Sequence, residues 1–447
     1  MAYLFNTPEE QQAMLAAIGA KSIDELFATI PEAMRLRRPL NLPEALGELP
    51  LTQSLTRLAS ENQSTQQLVC FLGAGAYDHF IPAVVDAIAS RSEFYTSYTP
   101  YQPEVSQGNL QVMFEYQTLV CQLTGLDVAN ASLYDGASAA AEAVLLCMSA
   151  TERPKRVVTA ASVHPEYRAV IRTYFANLGA ELVEVATPTG RVSPSDLARA
   201  VDRNTACVLL QQPNFFGAIE ELETLADVAH NAGAMMAVAF DPLSVGLLKR
   251  PGDCGADVAI AEGQSLGSPL QFGGPYLGLM ACREPFVRRL PGRIAGQTVD
   301  RDGRRCWVLT LQTREQHIRR DKATSNICTN QGLMALRAAV YLAAMGRQGF
   351  QETARLCLWK AAYARSRLAN SQRYEVCFQL PTFKEFLVRD KRGDVASALA
   401  AARREGILAG VPVGRWYPEF ADCFLVAVTE QRTREEIDRW SEALERA

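Results

Sequence analysis

Between residues 156 and 261 the chain alternates regularly between short apolar runs and amphipathic segments, and no other feature restricts its fold so tightly. Apolar runs fall at 157–160, 182–185, 206–210, 235–240 and 258–261, and helical patterns fill 166–178, 194–201 and 220–231. Strands alternating with helices build βαβ units, which predict a mostly parallel, seven-stranded-type sheet covered on both faces. Another run at 276–282 predicts one more strand. Sheets of this kind present ligands at the carboxyl ends of their strands. His164 lies just past the first run, Asp241 directly follows 235–240, and a loop with Gly263, Gly267, Gly273 and Gly274 follows 258–261. That loop contains no lysine, cysteine or histidine, so it offers no strong nucleophile.

The 447 residues suffice for at least two cores. We expect a helical arm over 1–70, a large α/β domain over 71–330 and a small α+β domain with a largely antiparallel sheet over 331–447. A formal charge of −4 argues against nucleic-acid or membrane-surface binding. No apolar run reaches the roughly 18 residues of a membrane span. No basic region precedes an apolar one at the start of the chain, so no secretion signal is visible. The 11 cysteines include no Cys-x-x-Cys pair and read as reduced thiols in a cytoplasm. His79, His164, His230 and His317 show no metal-ligand spacing.

Local signals fill in the rest. Thr7, Pro8 and Glu10 spell a capping box, and Ser22 with Glu25 opens a second helix. Gly73-Ala74-Gly75 lacks the context of a dinucleotide site and reads as a turn needing positive φ. Tyr95, Tyr98 and Tyr101 recur every third residue beside Pro100 and Pro103. A polyproline-II segment stacks such residues on one face, either as a row of phenols lining a polar pocket or as interface or core tyrosines. Residues 109–124 form an amphipathic helix stopped by Gly125. Asp135 to Ser138 run into an Ala-rich helix whose free amides suit a phosphate, although a plain capped helix has the same pattern. The arginine-rich stretch 285–322 is either a solvated face or a docking surface for an acidic partner or phosphate. Two helices, at 332–345 and 352–368, lead into the small domain.

Three motifs together are similar to the P-protein family of the glycine cleavage system. They are Tyr-Thr-Pro-Tyr-Gln-Pro-Glu-Val-Ser-Gln-Gly (98–108), Asn-Ala-Ser-Leu-Tyr-Asp-Gly-Ala-Ser-Ala-Ala-Ala-Glu-Ala (130–143) and Gln-Thr-Arg-Glu-Gln-His-Ile-Arg-Arg-Asp-Lys-Ala-Thr-Ser-Asn-Ile-Cys-Thr (312–329). The resemblance covers essentially the whole chain and points to the split form, in which two chains share the work. It implies an aspartate-aminotransferase-like (fold type I) pyridoxal-phosphate (PLP) scaffold and a subunit of a decarboxylating, aminomethyl-transferring oxidoreductase. A partner β subunit is then expected to carry PLP on a lysine preceded by a histidine. Gln264 and Ser265 stand at the matching positions here, and a serine hydroxyl cannot form the imine that anchors the cofactor. The resemblance marks Asp135, Gly136 and Ser138 as a vestigial phosphate turn, His164 as a ring-stacking residue and Asp241 as the partner of the pyridinium nitrogen. It implies no catalytic residue in this chain. Tyr95, Tyr98, Tyr101 and Gln102 are expected to line the partner's glycine site, and Thr324 and Ser325 to reach the partner's cofactor phosphate. The arginine-rich stretch is expected to meet a lipoylated H-protein, and two chains of each kind are expected to form a heterotetramer. Two rival readings are a free-standing PLP aminotransferase using another lysine, such as Lys249 or Lys322, and a purely structural partner subunit.

Overall fold

The computed structural model describes residues 6–153, 155–323 and 325–447. They fall into two compact units, one ending at Gln63 and the other spanning Ser64–Ala447. The first holds the helices Pro8–Ala17, Ile23–Leu26 and Glu48–Ser60. Its first helix carries the expected capping box: the Thr7 hydroxyl accepts from Glu10 N at 3.2 Å, and the Glu10 carboxylate accepts from Thr7 N at 2.7 Å. This unit leaves large apolar side chains exposed, among them Ile23, Phe27, Met34, Leu42, Leu49 and Leu55.

The second unit contains fifteen strands among its described residues. These are β1 (Val69–Cys70), β2 (Val128–Ala129), β3 (Arg156–Ala160), β4 (Glu181–Val185), β5 (Thr205–Gln212), β6 (Met235–Phe240), β7 (Val258–Glu262), β8 (Gly278–Cys282), β9 (Ile294–Val299), β10 (Arg305–Thr310), β11 (Tyr374–Val376), β12 (Glu385–Asp390), β13 (Ile407–Leu408), β14 (Val411–Pro412) and β15 (Cys423–Ala427). The large sheet has the order β2-β8-β7-β6-β5-β3-β4. Its pairs are parallel from β4 to β7, and β8 runs antiparallel to both β7 and β2. Strand β6 is buried at every position and β5 at nearly every one, the mark of a sheet covered on both faces. At about 1.5–3 kcal/mol per buried branched side chain, Val208, Leu209 and Leu210 outweigh the net 0.5–1.5 kcal/mol or so of a strand hydrogen bond. Apolar burial therefore sets which residues form the sheet. The helix Gly136–Thr151 packs on this sheet through Ala139, Ala140 and Ala143, whose small side chains permit close approach.

The smaller sheet is antiparallel, in the order β11-β12-β15-β14. The two helices expected at 332–345 and 352–368 lie within one element, Gly332–Arg367, broken at Gly346 (φ 57°, ψ −176°). Its first half, with Ala338 and Tyr341, packs into the large core, and its second half, with Ala361 and Ala364, packs into the small one. One segment thus fastens both cores together. A second tie runs through β12. Ile219 N donates to Pro381 O at 3.0 Å, and a Cβ on Gly217 (φ +82°) would lie 2.0 Å from the carbonyl oxygen of Glu385. Only glycine lets the start of β12 come this close to the large sheet.

Candidate functional site

The carboxyl ends of β3, β6 and β7 meet the start of β12 around one small cavity. Asp241 follows β6. Its Oδ1 accepts from Leu243 N at 3.0 Å, and its Oδ2 receives the Lys384 ammonium at 2.7 Å. Lys384 immediately precedes β12 and is 1% exposed. Its Nζ also lies 3.0 Å from His79 Nε2 and 3.5 Å from the centre of the Tyr77 ring. An ammonium has only donors, so His79 Nε2 accepts and Nδ1 carries the proton, which is directed at Glu430 Oε2 2.6 Å away. The result is a continuous chain of polar contacts, from Asp241 through Lys384 and a neutral His79 to Glu430. Glu385 points back into the same space, accepting from Tyr77 OH at 2.6 Å and from Ala74 N at 2.8 Å. Burial pushes its carboxyl up to about 7, against those two bonds and the Lys384 charge.

His164 sits beyond the end of β3 and caps the next helix. Its Nδ1 accepts from Glu166 N at 3.1 Å, so Nε2 carries the proton and donates to Ala74 O at 2.8 Å. Burial lowers its pKa, which keeps the ring neutral in that tautomer. Tyr167 stacks on it, with ring centres 4.9 Å apart at 23°. At the start of the Ala-rich helix, Asp135 Oδ1 accepts from Ser138 N at 2.7 Å. The Gly136 amide donates to Glu262 Oε2 at 2.9 Å, while Glu262 Oε1 accepts from Gln264 N at 3.0 Å and Leu277 N at 3.1 Å. Burial pushes Glu262 up to about 7 as well, with those backbone bonds opposing. Gly136 is required here, because a Cβ would lie 2.1 Å from the Tyr167 hydroxyl oxygen. Gln264 clamps the backbone of Tyr77, accepting from its N at 2.8 Å and donating to its O at 3.0 Å. Ser265 is 4% exposed, and its hydroxyl has no partner among the described residues.

A PLP molecule needs free helix amides for its phosphate, a free carboxylate for its ring nitrogen, an open face on the stacking histidine and a lysine amine. Here the Gly136 and Ser138 amides are taken by Glu262 and Asp135, the Asp241 carboxylate by Lys384 and one face of His164 by Tyr167, and the loop after β7 carries no lysine. The remaining cavity, lined by Tyr167, Asp241, Ser265 and Lys384 among others, holds about 40 Å³, whereas ligand pockets run to roughly 300–1,000 Å³. The residues do not fit the cofactor.

A second, larger concavity lies elsewhere on the unit. Tyr95 and Tyr98 line it with Phe94, Asn109, Asn330 and Gln331 around a volume of about 320 Å³. Tyr95 is 67% exposed and Tyr98 84%. The three tyrosines do not form one polyproline face. Tyr95 ends the short helix Ser92–Tyr95, and Tyr101 turns toward Arg293, whose guanidinium lies 5.6 Å from its ring centre and donates to its hydroxyl at 3.3 Å. Local helix formation and a buried cation override the three-residue spacing. Arg293 is itself buried, 3.4 Å from Asn330 Oδ1 and 4.0 Å from Glu315, so it links Tyr101 to the far wall of the groove. Gln102 is exposed. Ser325 is engaged within the chain, accepting from Ile327 N at 3.0 Å and bonding to Glu142, whose carboxyl burial pushes up to about 7. Thr324 lies outside the described residues. The arginine-rich stretch is not one solvated face: Arg301, Arg304, Arg305, Arg319 and Arg320 are exposed, but Arg314 is spent on the carbonyls of Leu290 and Gly292.

Sequence reasoning missed Tyr77, Tyr167, Glu262, Lys384 and Glu385. One signal was present: Lys384-Glu385 abuts the apolar run that opens β12, where an unshielded charge is costly. The lysines weighed instead are remote from the cavity. Lys249 is exposed and paired with Glu223 at 2.5 Å, and Lys322 is exposed.

Sheet order and the positions of His164, Asp241 and the 135–138 turn define, by fold, a member of the fold type I PLP-dependent superfamily. A sphingosine-1-phosphate lyase from Burkholderia pseudomallei K96243 shares this fold at TM-score 0.66 and 16% identity, over 93% of this chain and 94% of its own. The sequence profile of the glycine cleavage system P-protein matches residues 1–444, and the chain belongs to that family. It is 52% identical to a probable glycine dehydrogenase (decarboxylating) subunit 1 of Desulforamulus reducens and 53% identical to that of Moorella thermoacetica, in each case over 98% of both chains. It superposes on the crystal structure of a glycine decarboxylase (P-protein) of the glycine cleavage system, in inhibitor-bound form, at TM-score 0.90 and 44% identity over the whole of both chains.

Proposed function

We propose that this chain is the non-lysine-bearing α subunit of a glycine decarboxylase, working with a PLP-carrying β subunit to decarboxylate glycine and pass the aminomethyl group to the lipoyl arm of an H-protein. One observation carries the reading: the cavity at the strand ends, lined by Ser265, holds about 40 Å³, too small for PLP. We assign Ser265 to the place of the cofactor lysine. PLP on the partner's lysine supplies the electron sink for carbon–carboxylate cleavage. This chain supplies walls and docking surface. Tyr95 and Tyr98 offer apolar faces and free hydroxyls for a small polar substrate. Arg293 holds Tyr101 in place, and exposed Gln102 adds an amide. Ser325, with Thr324 as its sequence neighbour, is assigned to contact the partner's cofactor phosphate, and the exposed arginines from Arg301 to Arg320 suit an acidic H-protein. The exposed apolar residues of the N-terminal unit suit a partner surface. We place the complex in the cytoplasm as two α and two β chains. No helix among the described residues is long and apolar enough to cross a membrane.

The experiment is co-expression with a candidate β subunit, followed by glycine-dependent carbon dioxide exchange on each chain alone and on both. Activity only in the mixture is expected. Exchange by this chain alone, with bound PLP, sinks the proposal. Full activity of the mixture with Tyr95 and Tyr98 both replaced by Ala would favour a purely structural role.

A further inference from the structure

The strand-end cavity is more than a site that has lost its lysine. Each point at which the fold would grip a cofactor is already gripped by a side chain of the chain itself. Lys384 Nζ sits 2.7 Å from Asp241. The Tyr167 ring lies on His164 and lines the same cavity as Asp241, Ser265 and Lys384. The Glu262 carboxylate takes the Gly136 amide at the start of the Ala-rich helix. The contacts reach from end to end, because the Tyr167 hydroxyl comes so near Gly136 that no Cβ fits between them.

We propose that Tyr167, Lys384 and Glu262 together stand in for PLP, as ring, ring-nitrogen cation and phosphate respectively, so that the seat is permanently filled and restoring the lysine alone does not restore cofactor binding. The hydrogen-bonding roles correspond. An ammonium replaces a pyridinium opposite Asp241, and a carboxyl group replaces a phosphate as acceptor at the helix-start amide of Gly136. The stacked phenol replaces the pyridine on a neutral imidazole. Glu385 and Gln264 close the rim by holding Ala74 and Tyr77 over the top. A seat that had merely decayed would leave its amides and its carboxylate to water. Here the Gly136 and Ser138 amides and the Asp241 carboxylate are paired, and the charged group supplied to Asp241 comes from the start of an inner strand of the other sheet. Lys384 and Glu385 thereby give the start of β12 its anchorage on the large sheet, a tie that in a loaded enzyme of this fold is available to the cofactor.

This inference rests on the fold class and the geometry, not on the proposed partner or substrate, so its test reads cofactor uptake rather than turnover. The full-length chain and its Ser265→Lys variant are each incubated with millimolar PLP, reduced with borohydride and weighed by intact mass spectrometry. Wild-type chain is also equilibrium-dialysed against PLP. The expected result is no more reduced adduct on the Ser265→Lys chain than on the wild type and none at residue 265 by peptide mass mapping, with the Ser265→Lys chain melting cooperatively, and less than a tenth of an equivalent retained by the wild type. An adduct at residue 265 of Ser265→Lys with Tyr167 and Lys384 in place overturns the proposal. So does one equivalent of PLP held by the wild-type chain, an arm that does not depend on how the variant folds.

Discussion

The two concavities of the large unit differ in size and in how their polar groups are paired. The one at the strand ends is about 40 Å³, and its charged side chains are engaged with groups of the chain itself. The tyrosine groove is about 320 Å³, and its most prominent ring, Tyr98, is 84% exposed. In a cofactor enzyme of this fold the strand ends are where chemistry happens. Here the internal pairing of Asp241, Lys384, Glu262 and Glu385 makes that place structural, and unsatisfied surface has moved to the rim. The difference teaches that a binding site is recognised by what it leaves unpaired, not by which residues it contains.

The contrast can be broken most forcefully at Lys384. Lys384→Met strands Asp241 in the interior, and breaking a buried pair from one side costs about 3–5 kcal/mol. A denaturant midpoint well below wild type is expected, with most of the loss regained in Lys384→Met/Asp241→Asn. Additive losses in the double variant would show that the pair is not coupled. Next comes Gly136→Ala, whose added carbon collides with Tyr167 and costs about 1–3 kcal/mol. Tyr167→Phe on that background, by removing the colliding oxygen, should recover part of it in thermal melts.

The strand-end site also has a pH signature. Glu262 is raised from its ordinary 4.5 to about 7, mainly by burial, so the folded chain binds its proton more tightly than the unfolded chain does. Its contribution therefore favours the fold at the acidic end and declines as pH rises from about 4.5 to 7, by at most about 1.4 kcal/mol per pH unit. Denaturation midpoints at pH 5.5 and 7.5 measure it. Glu262→Gln should flatten the gradient, and an unchanged gradient would assign it to other carboxyls. The smallest effect lies in the tyrosine groove. Tyr98→Phe removes one hydroxyl, worth about 0.5–1.5 kcal/mol, so the assembled complex should lose roughly three- to tenfold in exchange activity without dissociating. Unchanged kinetics would remove Tyr98 from the site.

Much of this was legible in the chain before its structure. The alternation over 156–261 identified the large sheet, because strands buried on both faces must be apolar throughout. His164 and Asp241 were locatable because each lies just past a strand, and Ser265 only through the family resemblance. Lys384 was not, because periodicity reports that a residue is buried but not which distant group it meets, and β12 reaches Asp241 from far along the chain. Gly75 was legible as a turn, with φ +109°, but not as the close approach that brings Ala74 onto His164 and Glu385. The tyrosine spacing misled for a different reason: a short helix at Ser92–Tyr95 and the buried Arg293 decide those side chains, and neither leaves a mark in the spacing.

The pairing of Lys384 with Asp241 also bears on how the polypeptide is made. If the seat is filled as proposed, what fills it is translated along with the walls, and maturation of this chain would require no vitamin. In a cell starved of vitamin B6 it should reach its finished form at the usual rate, complete before any coenzyme arrives.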